Sequence, residues 1–258
     1  MNGNSIKAGL LCISLMILGG SMSACAMGDK TSWKEEVLLH DGSKLVVERY
    51  YNLGSSPGTG ITLLDQTITF TLPGSSNPIS WKTEYRQDLP EPNSLGALLL
   101  DVVGGVPYLA TSPAGCIAYN KWGRPNPPYI LFKYTHDAWQ QIPLQAFPSE
   151  LVQANLMGPS VTELLKPYYT VEAAQAQRQN GNVSAESRTI LREAVVKGAL
   201  GTDGSSVNCE WMIPYGKGGW LGLDWFSDQP SYEACFNYCE RKGVHPQNCP
   251  CATLFKGK

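Results

Sequence analysis

From residue 33 onward the chain alternates apolar and polar side chains with a period of two, the spacing of strands that bury one face. Within residues 34–51, Val37 and Leu39 share one side, Asp41-Gly42 sits in the middle, and Leu45, Val47 and further β-formers follow to Tyr51. That pattern predicts a hairpin. A Gly, Ser and Pro loop over 52–60 leads to a half-buried strand over 67–72, where Ile68, Phe70 and Leu72 alternate with threonines. Residues 79–85 alternate again, with Ile79, Trp81, Thr83 and Tyr85 on one face. The apolar runs 95–103 and 106–111, joined by Gly104-Gly105, predict a second hairpin. Strands over 117–119, 129–134 and 139–144, with a turn at 135–137, complete a meander. Short strands separated by frequent turns indicate an antiparallel β-sandwich or a partial-propeller-like sheet.

After Phe147 the periodicity changes. Residues 150–157, 160–165 and 170–179 predict short helices, with Gly158 and Pro167 as breaks. Ser184 followed by Glu186, Ile190, Leu191, Ala194 and Val195 predicts a capped amphipathic helix over 184–196. Residues 210–226 then carry Trp211, Tyr215, Trp220, Trp225 and Phe226 among glycines, and a cysteine-rich tail closes the chain. The expected fold class is α+β, an antiparallel β domain over 33–145 followed by a helical segment over 146–200. A Trp- and Cys-rich segment over 201–258 would pack on the β domain.

The N-terminus reads as an export signal. Lys7 precedes the apolar run 8–20 and the small residues Ser21-Met22-Ser23-Ala24-Cys25. The run is shorter than the ~20 residues that a membrane span needs, and a polar stretch over 28–34 follows it. Met22-Ser23-Ala24-Cys25 resembles a lipobox, which makes residues 1–25 a lipoprotein-type signal peptide with lipidation at Cys25. Cleavage after Ala26 is the alternative, because Ala24-Cys25-Ala26 also fits the A-x-A pattern of soluble exported proteins. Ala26 rather than Asp after the lipidated cysteine resembles the sorting signal for the outer membrane. The acyl chains (palmitate among them) would make the lipid bilayer a partner. The soluble periplasmic or secreted location is the alternative.

Export bears on the cysteines. Cys116, Cys209, Cys235, Cys239, Cys249 and Cys251 remain after signal removal, an even set that an oxidising compartment would pair. Cys235 and Cys239 would share a helix face, and Cys249 and Cys251 would share a side of an extended segment. Clipping one to the other favours Cys239 with Cys249 and Cys235 with Cys251, leaving Cys116 with Cys209. A zinc site built from the last four cysteines and His245 is the alternative. The disulfide reading is preferred, so no metal and no cofactor is expected.

Composition narrows the function classes. With 258 residues, 43% hydrophobic and 16% charged, and a net charge of -2, the chain is neither disordered nor basic enough to bind nucleic acid. It carries no H-E-x-x-H and no phosphate-binding glycine loop with its lysine. His40-Asp41 and His136-Asp137 fall in expected turns, where aspartate serves the backbone. Glu35, Glu36, Glu48, Asp65, Glu84 and Asp101 lie on or near the sheet, and two of them facing across a cleft would suit a glycan hydrolase. The outward face of amphipathic strands is the favoured account of such carboxylates. The loop 120–129 combines Lys121, Trp122, Arg124 and Tyr129 with three prolines, a stiff candidate recognition surface for a glycan or an envelope protein. A buried corner is the competing reading of that loop.

Trp33-Lys34-Glu35-Glu36-Val37-Leu38-Leu39-His40-Asp41-Gly42 and Ala118-Tyr119-Asn120-Lys121-Trp122-Gly123-Arg124-Pro125-Asn126-Pro127-Pro128-Tyr129 resemble a family of uncharacterised proteobacterial lipoproteins. The resemblance covers roughly the first half of the chain, with a weaker echo at Thr189-Ile190-Leu191-Arg192-Glu193. It implies an exported β-rich protein and supplies no activity and no catalytic residue. The sequence therefore leads to the expectation of an envelope lipoprotein that acts as a non-enzymatic binding or structural module. A glycan-acting hydrolase with two sheet-borne carboxylates, and a periplasmic immunity or inhibitor protein, stand as alternatives.

Overall fold

The first hairpin turns on Asp41 and Gly42. Gly42 takes φ 84°, and the Asp41 carboxylate accepts the Ser43 N–H at 2.9 Å and its hydroxyl at 2.6 Å. The structure is a computed structural model describing residues 30–56, 60–83, 95–158, 166–179, 185–194, 209–216 and 219–256. The turn joins β1 (Lys30–Leu38) to β2 (Lys44–Ser56), and β3 (Gly60–Thr71) and β4 (Pro78–Lys82) extend the sheet antiparallel. β5 (Leu95–Val103) and β6 (Val106–Pro113) form the second hairpin, with Gly104 and Gly105 both at positive φ in its turn. β7 (Ile130–Thr135) and β8 (Ala138–Ile142) complete a second sheet in the order β5-β6-β7-β8. His136 and Asp137, at φ 53° and 57°, make the tight turn between them. β9 (Tyr168–Tyr169) pairs parallel with β1 and completes the first sheet.

The two sheets pack face to face, so the architecture is an α+β protein built on a β-sandwich. Val37, Val47, Ile68 and Phe70 of the first sheet share a core with Leu100, Leu109 and Ile130 of the second. Trp81 meets Phe132 with ring centres 5.7 Å apart, and Trp139 donates its indole N–H to the Ser80 carbonyl at 2.9 Å. Fully burying one such side chain is worth about 1.5–3 kcal/mol, so this shared core is the main stabiliser of the sandwich.

A bulge in β5 sets which residues face where. Ala97 pairs with Thr111 and Leu99 with Ala110, so Leu98 is left without a partner across the ladder. The alternation changes phase there: Leu95 and Ala97 face the shared core before the bulge and Leu100 after it. Leu99 instead joins Tyr108, Ala110 and Leu131 on the other face, covered by Phe147, Leu151 and Ile190.

The helices are short. α1 (Cys116–Lys121) forms where a strand is expected over 117–119, starting at Gly115 with φ 136°. α2 (Val171–Gln179) lies within the expected helix 170–179 and buries Val171 and Ala174. Glu36 of β1 accepts the Val171 N–H at 3.2 Å and so places the first turn of α2 against the sheet. α3 (Ala185–Arg188) is a single turn, because Thr189 leaves the helix to bridge Gln153. Residues 150–157 are extended instead of helical: Ala154, Asn155 and Leu156 give their N–H groups to distant carbonyls of Arg188 and Leu98. The expected helix 160–165, Glu84, and the signal region with Cys25 lie outside the described residues.

The last part folds around its own core. A hairpin of β10 (Met212–Tyr215) and β11 (Gly219–Gly222) precedes α4 (Asp224–Ser227), α5 (Tyr232–Lys242) and α6 (Cys251–Leu254). Ser231 caps α5 by accepting the Ala234 N–H, and Gly243 closes it at φ 67°. Phe226, Tyr238, Ile213 and Val244 fill the core, stapled by the disulfides Cys235–Cys251 and Cys239–Cys249. Cys249 follows a tight turn and Cys251 begins α6, so this pair does not lie in an extended segment. The third disulfide, Cys116–Cys209, ties this unit to α1 of the sandwich. No helix among the described residues is long and apolar enough to cross a membrane.

Candidate functional site

The extended segment 151–157 closes the seam between β1 and β5, and Asn155 is its clasp. The Asn155 side-chain amide donates to the carbonyls of Leu38 at 3.1 Å and Leu100 at 2.8 Å, and its oxygen accepts the Leu100 N–H at 2.9 Å. The carbonyl of the bulged Leu98 accepts the N–H groups of both Asn155 and Leu156 at 3.1 Å. On the outer side, the Arg188 carbonyl accepts the Ala154 N–H at 3.0 Å and the Val152 carbonyl accepts the Ile190 N–H at 2.8 Å. Both edges of the segment are thereby fixed by backbone bonds.

Between this segment, the β5 bulge, the end of α2 and α3 opens a cleft of about 510 Å³. Tyr51, Ala97, Leu98 and Leu156 give it apolar walls, while Arg178 and Arg188 bring charge. A neighbouring cavity of about 300 Å³ shares Gln153, Ala154 and Arg178 with it, and reaches His40 and Asp101. Volumes of about 300–1,000 Å³ are typical of small-molecule sites.

Arg178, at the end of α2, touches both cavities, and its Nη1 is buried without a hydrogen-bond partner. Burial lowers the pKa of this guanidinium below the usual arginine value, although the charge of Glu35 counteracts it. Glu35 is itself committed elsewhere. Its side chain and that of Arg49 are 0% exposed, and Arg49 Nη1 donates to Glu35 at 2.7 Å and to the Met157 carbonyl at 3.2 Å. Arg49 Nη2 donates to Gln66 at 3.0 Å, and the other Glu35 oxygen accepts the Met157 N–H at 3.0 Å. The guanidinium also lies over the Trp33 ring, 5.2 Å from its centre. Burial raises the Glu35 carboxyl above its ordinary pKa in spite of Arg49. The expected outward position of Glu35 is therefore corrected: its carboxylate points into the core, where Arg49 meets it. Its phase is that of the buried Trp33, Val37 and Leu39, and Arg49 shares the phase of Leu45, Val47 and Tyr51. That parity is the sequence signal that points to the buried pair.

His40 lies at the mouth of the second cavity. Its partner is Asp101, at 2.6 Å from Nδ1, while its chain neighbour Asp41 serves the turn. Asp101 also accepts the His40 N–H at 2.9 Å and the Val102 N–H at 2.7 Å. The hydrogen bond to Asp101 raises the His40 pKa above the usual value, and burial opposes it. With Nδ1 engaged, Nε2 is the nitrogen left for proton exchange; the ring is 30% exposed and the carboxylate 3%. No sequence motif links His40 to Asp101, 61 residues away.

The loop 120–129 is divided among separate tasks. Tyr129 is 6% exposed, with its hydroxyl donating to the Thr189 carbonyl at 3.0 Å and accepting the Leu191 N–H at 3.2 Å. Arg124 donates to the carbonyls of Cys209 at 2.8 Å and Glu210 at 3.0 Å, between the rings of Tyr119 and Trp211. It fastens the C-terminal unit to the sandwich. Lys121 is exposed and Trp122 half-buried. Those two line a cavity of about 360 Å³ with Trp81, Phe132 and Trp139. The four residues do not form one exposed surface.

The sheet carboxylates are likewise dispersed. Asp65 accepts the Asn52 amide at 2.9 Å and faces Lys82 at 3.8 Å, Glu36 pairs with Lys44 at 3.0 Å, and Glu48 is exposed. His245 caps a tight turn through Nδ1. The sulfurs of Cys235, Cys239 and Cys251 cluster closely enough to hold a metal ion, but each is taken up in a disulfide. No protein-family profile, curated protein or solved structure matches this chain.

Proposed function

We propose that the protein is an exported, lipid-anchored component of the bacterial envelope that acts as a non-enzymatic binding module, with the seam cleft as its ligand site. The cleft carries this reading: about 510 Å³ of open, partly apolar space bounded by a segment whose backbone is hydrogen-bonded on both edges. Three disulfides suit an oxidising compartment, and the lipid anchor rests on Met22-Ser23-Ala24-Cys25. The outer membrane and the proteobacterial lipoprotein family are part of the same proposal.

Mass spectrometry of the chain recovered from the native membrane fraction, without reductant, tests it. An acylated Cys25, three bridges and a retained small molecule are expected. An unmodified chain beginning at Met27 would refute the anchor, and free thiols would refute the staples. A second reading, hydrolysis with His40 as general base, is favoured by the Asp101 contact at 2.6 Å. Esterase activity that His40→Gln abolishes would establish it over the binding module.

A further inference from the structure

We infer that the seam cleft takes an amphipathic carboxylate, its apolar body against Ala97, Leu98 and Leu156 and its carboxylate on the Arg178 guanidinium. The inference rests on reading the cleft as a ligand site. Charge accounting around the cleft supports it. Arg49, the other cation close to Glu35, is neutralised by that carboxylate at 2.7 Å. Among the described residues Arg178 makes no ion pair: its Nη1 is buried and unbonded, and burial penalises its charge more than Glu35 favours it. An unpaired, partly buried cation is costly to a fold, and an anion arriving with the ligand removes that cost. Arg188, exposed at the rim, adds to the field that draws an anion in.

Two features select the ligand's chemistry. A guanidinium presents a planar fork of donors that matches a carboxylate edge. Of the two lining arginines only Arg178 is partly buried, while Arg188 is exposed and solvated, so the desolvated charge to be balanced is single and a monoanion fits better than the dianionic form of a phosphate ester. The walls then specify the remainder of the molecule. Ala97, Leu98, Leu156 and the Tyr51 ring offer apolar surface, and among the described residues the neutral hydrogen-bonding side chains of the lining are Gln153, Gln179, Ser187 and the Tyr51 hydroxyl, the last already held by Arg49. A sugar, which needs several polar partners per ring, matches this lining poorly.

Titration of the full exported chain with decanoate, decanamide and decyl phosphate tests the inference. Decanoate is expected to bind one to one, and decanamide and decyl phosphate at least about tenfold more weakly. Arg178→Met should weaken decanoate by a similar factor while leaving the urea midpoint unchanged or raised, because an unpartnered buried donor is removed. Equal binding of decanoate and decanamide, or no effect of Arg178→Met, overturns the inference. Tighter decyl phosphate also overturns it. Gly158→Trp separates the inference from the ligand-site reading beneath it, since Gly158 lines the cleft and a Cβ there meets nothing within 4 Å. If Gly158→Trp blocks decanoate and decanamide equally well bound, the ligand-site reading stands and the carboxylate inference falls. If no probe binds and Gly158→Trp changes nothing that is retained from the envelope, both fall.

Discussion

Replacing Arg49 by Met should destabilise the sandwich by about 3–5 kcal/mol, the usual consequence of leaving one member of a buried ion pair alone. The structure says why. Arg49→Met removes the donor to Glu35 at 2.7 Å, to the Met157 carbonyl at 3.2 Å and to Gln66 at 3.0 Å, in a site where both charged side chains are 0% exposed. The Met157 N–H at 3.0 Å then remains as the main stabiliser of the Glu35 charge. With a urea slope of about 2–3 kcal/mol per molar, the midpoint should fall by roughly 1–2 M. The double variant Glu35→Leu/Arg49→Met should recover most of this loss, because no uncompensated charge is left. The pH dependence has a defined sign. Burial already raises the Glu35 carboxyl, and without Arg49 its folded value rises further above the unfolded one, so the folded variant gains relative stability as it takes up a proton. The deficit should therefore shrink as the pH falls from about 7 toward about 5. Urea titrations followed by far-ultraviolet circular dichroism at both pH values measure it. A double variant as unstable as the sum of the single ones, or a deficit independent of pH, would refute the reasoning.

Further tests reach the other contacts. The NMR titration of His40 should show a pKa above the ordinary histidine value, and Asp101→Asn should bring it down. The stability that this contact contributes is present below the unfolded pKa of His40 and is lost as the pH rises through its raised folded value, so Asp101→Asn should flatten the stability profile there. Arg124→Lys keeps the charge but not the fork that reaches the carbonyls of Cys209 and Glu210; faster amide exchange over 210–215 is expected, with a docking loss of about 1–2 kcal/mol. Unchanged exchange would show that the disulfide alone positions the C-terminal unit. Replacing both Cys116 and Cys209 by Ser opens a bridge with a sequence separation of 93, which should lower stability by about 4 kcal/mol in denaturation by urea.

Local signals were read well where chemistry and geometry were both local. Asp41-Gly42 and Gly104-Gly105 announced their hairpins because positive φ and a side-chain cap act within a few residues. The cysteine spacing carried the C-terminal pairing because Cys235 and Cys239 lie one helical turn apart on α5. The composition of residues 150–157 tolerates a helix, while the carbonyls of Leu98 and Arg188 that hold them extended come from distant parts of the chain. Ile117 and Tyr119 are β-formers, but the chain turns helical after Gly115 and carries Cys116 toward Cys209. The candidate site was the least visible part. Arg178 looks like an ordinary helix-end arginine until the cleft around it exists, and the His40–Asp101 contact depends on the bulge at Leu98, which shifts the phase of every later residue in β5.

The Cys116–Cys209 bridge turns much of the chain into a covalent ring. A protease that cuts once anywhere between those cysteines makes a nick, not a fragment: both pieces stay joined through sulfur. Segment 151–158, α2 and α3, which form one side of the cleft, all lie inside that ring. Damage there would alter the cleft without shedding any part of the molecule, and electrophoresis would reveal the cut only after the bridge is reduced.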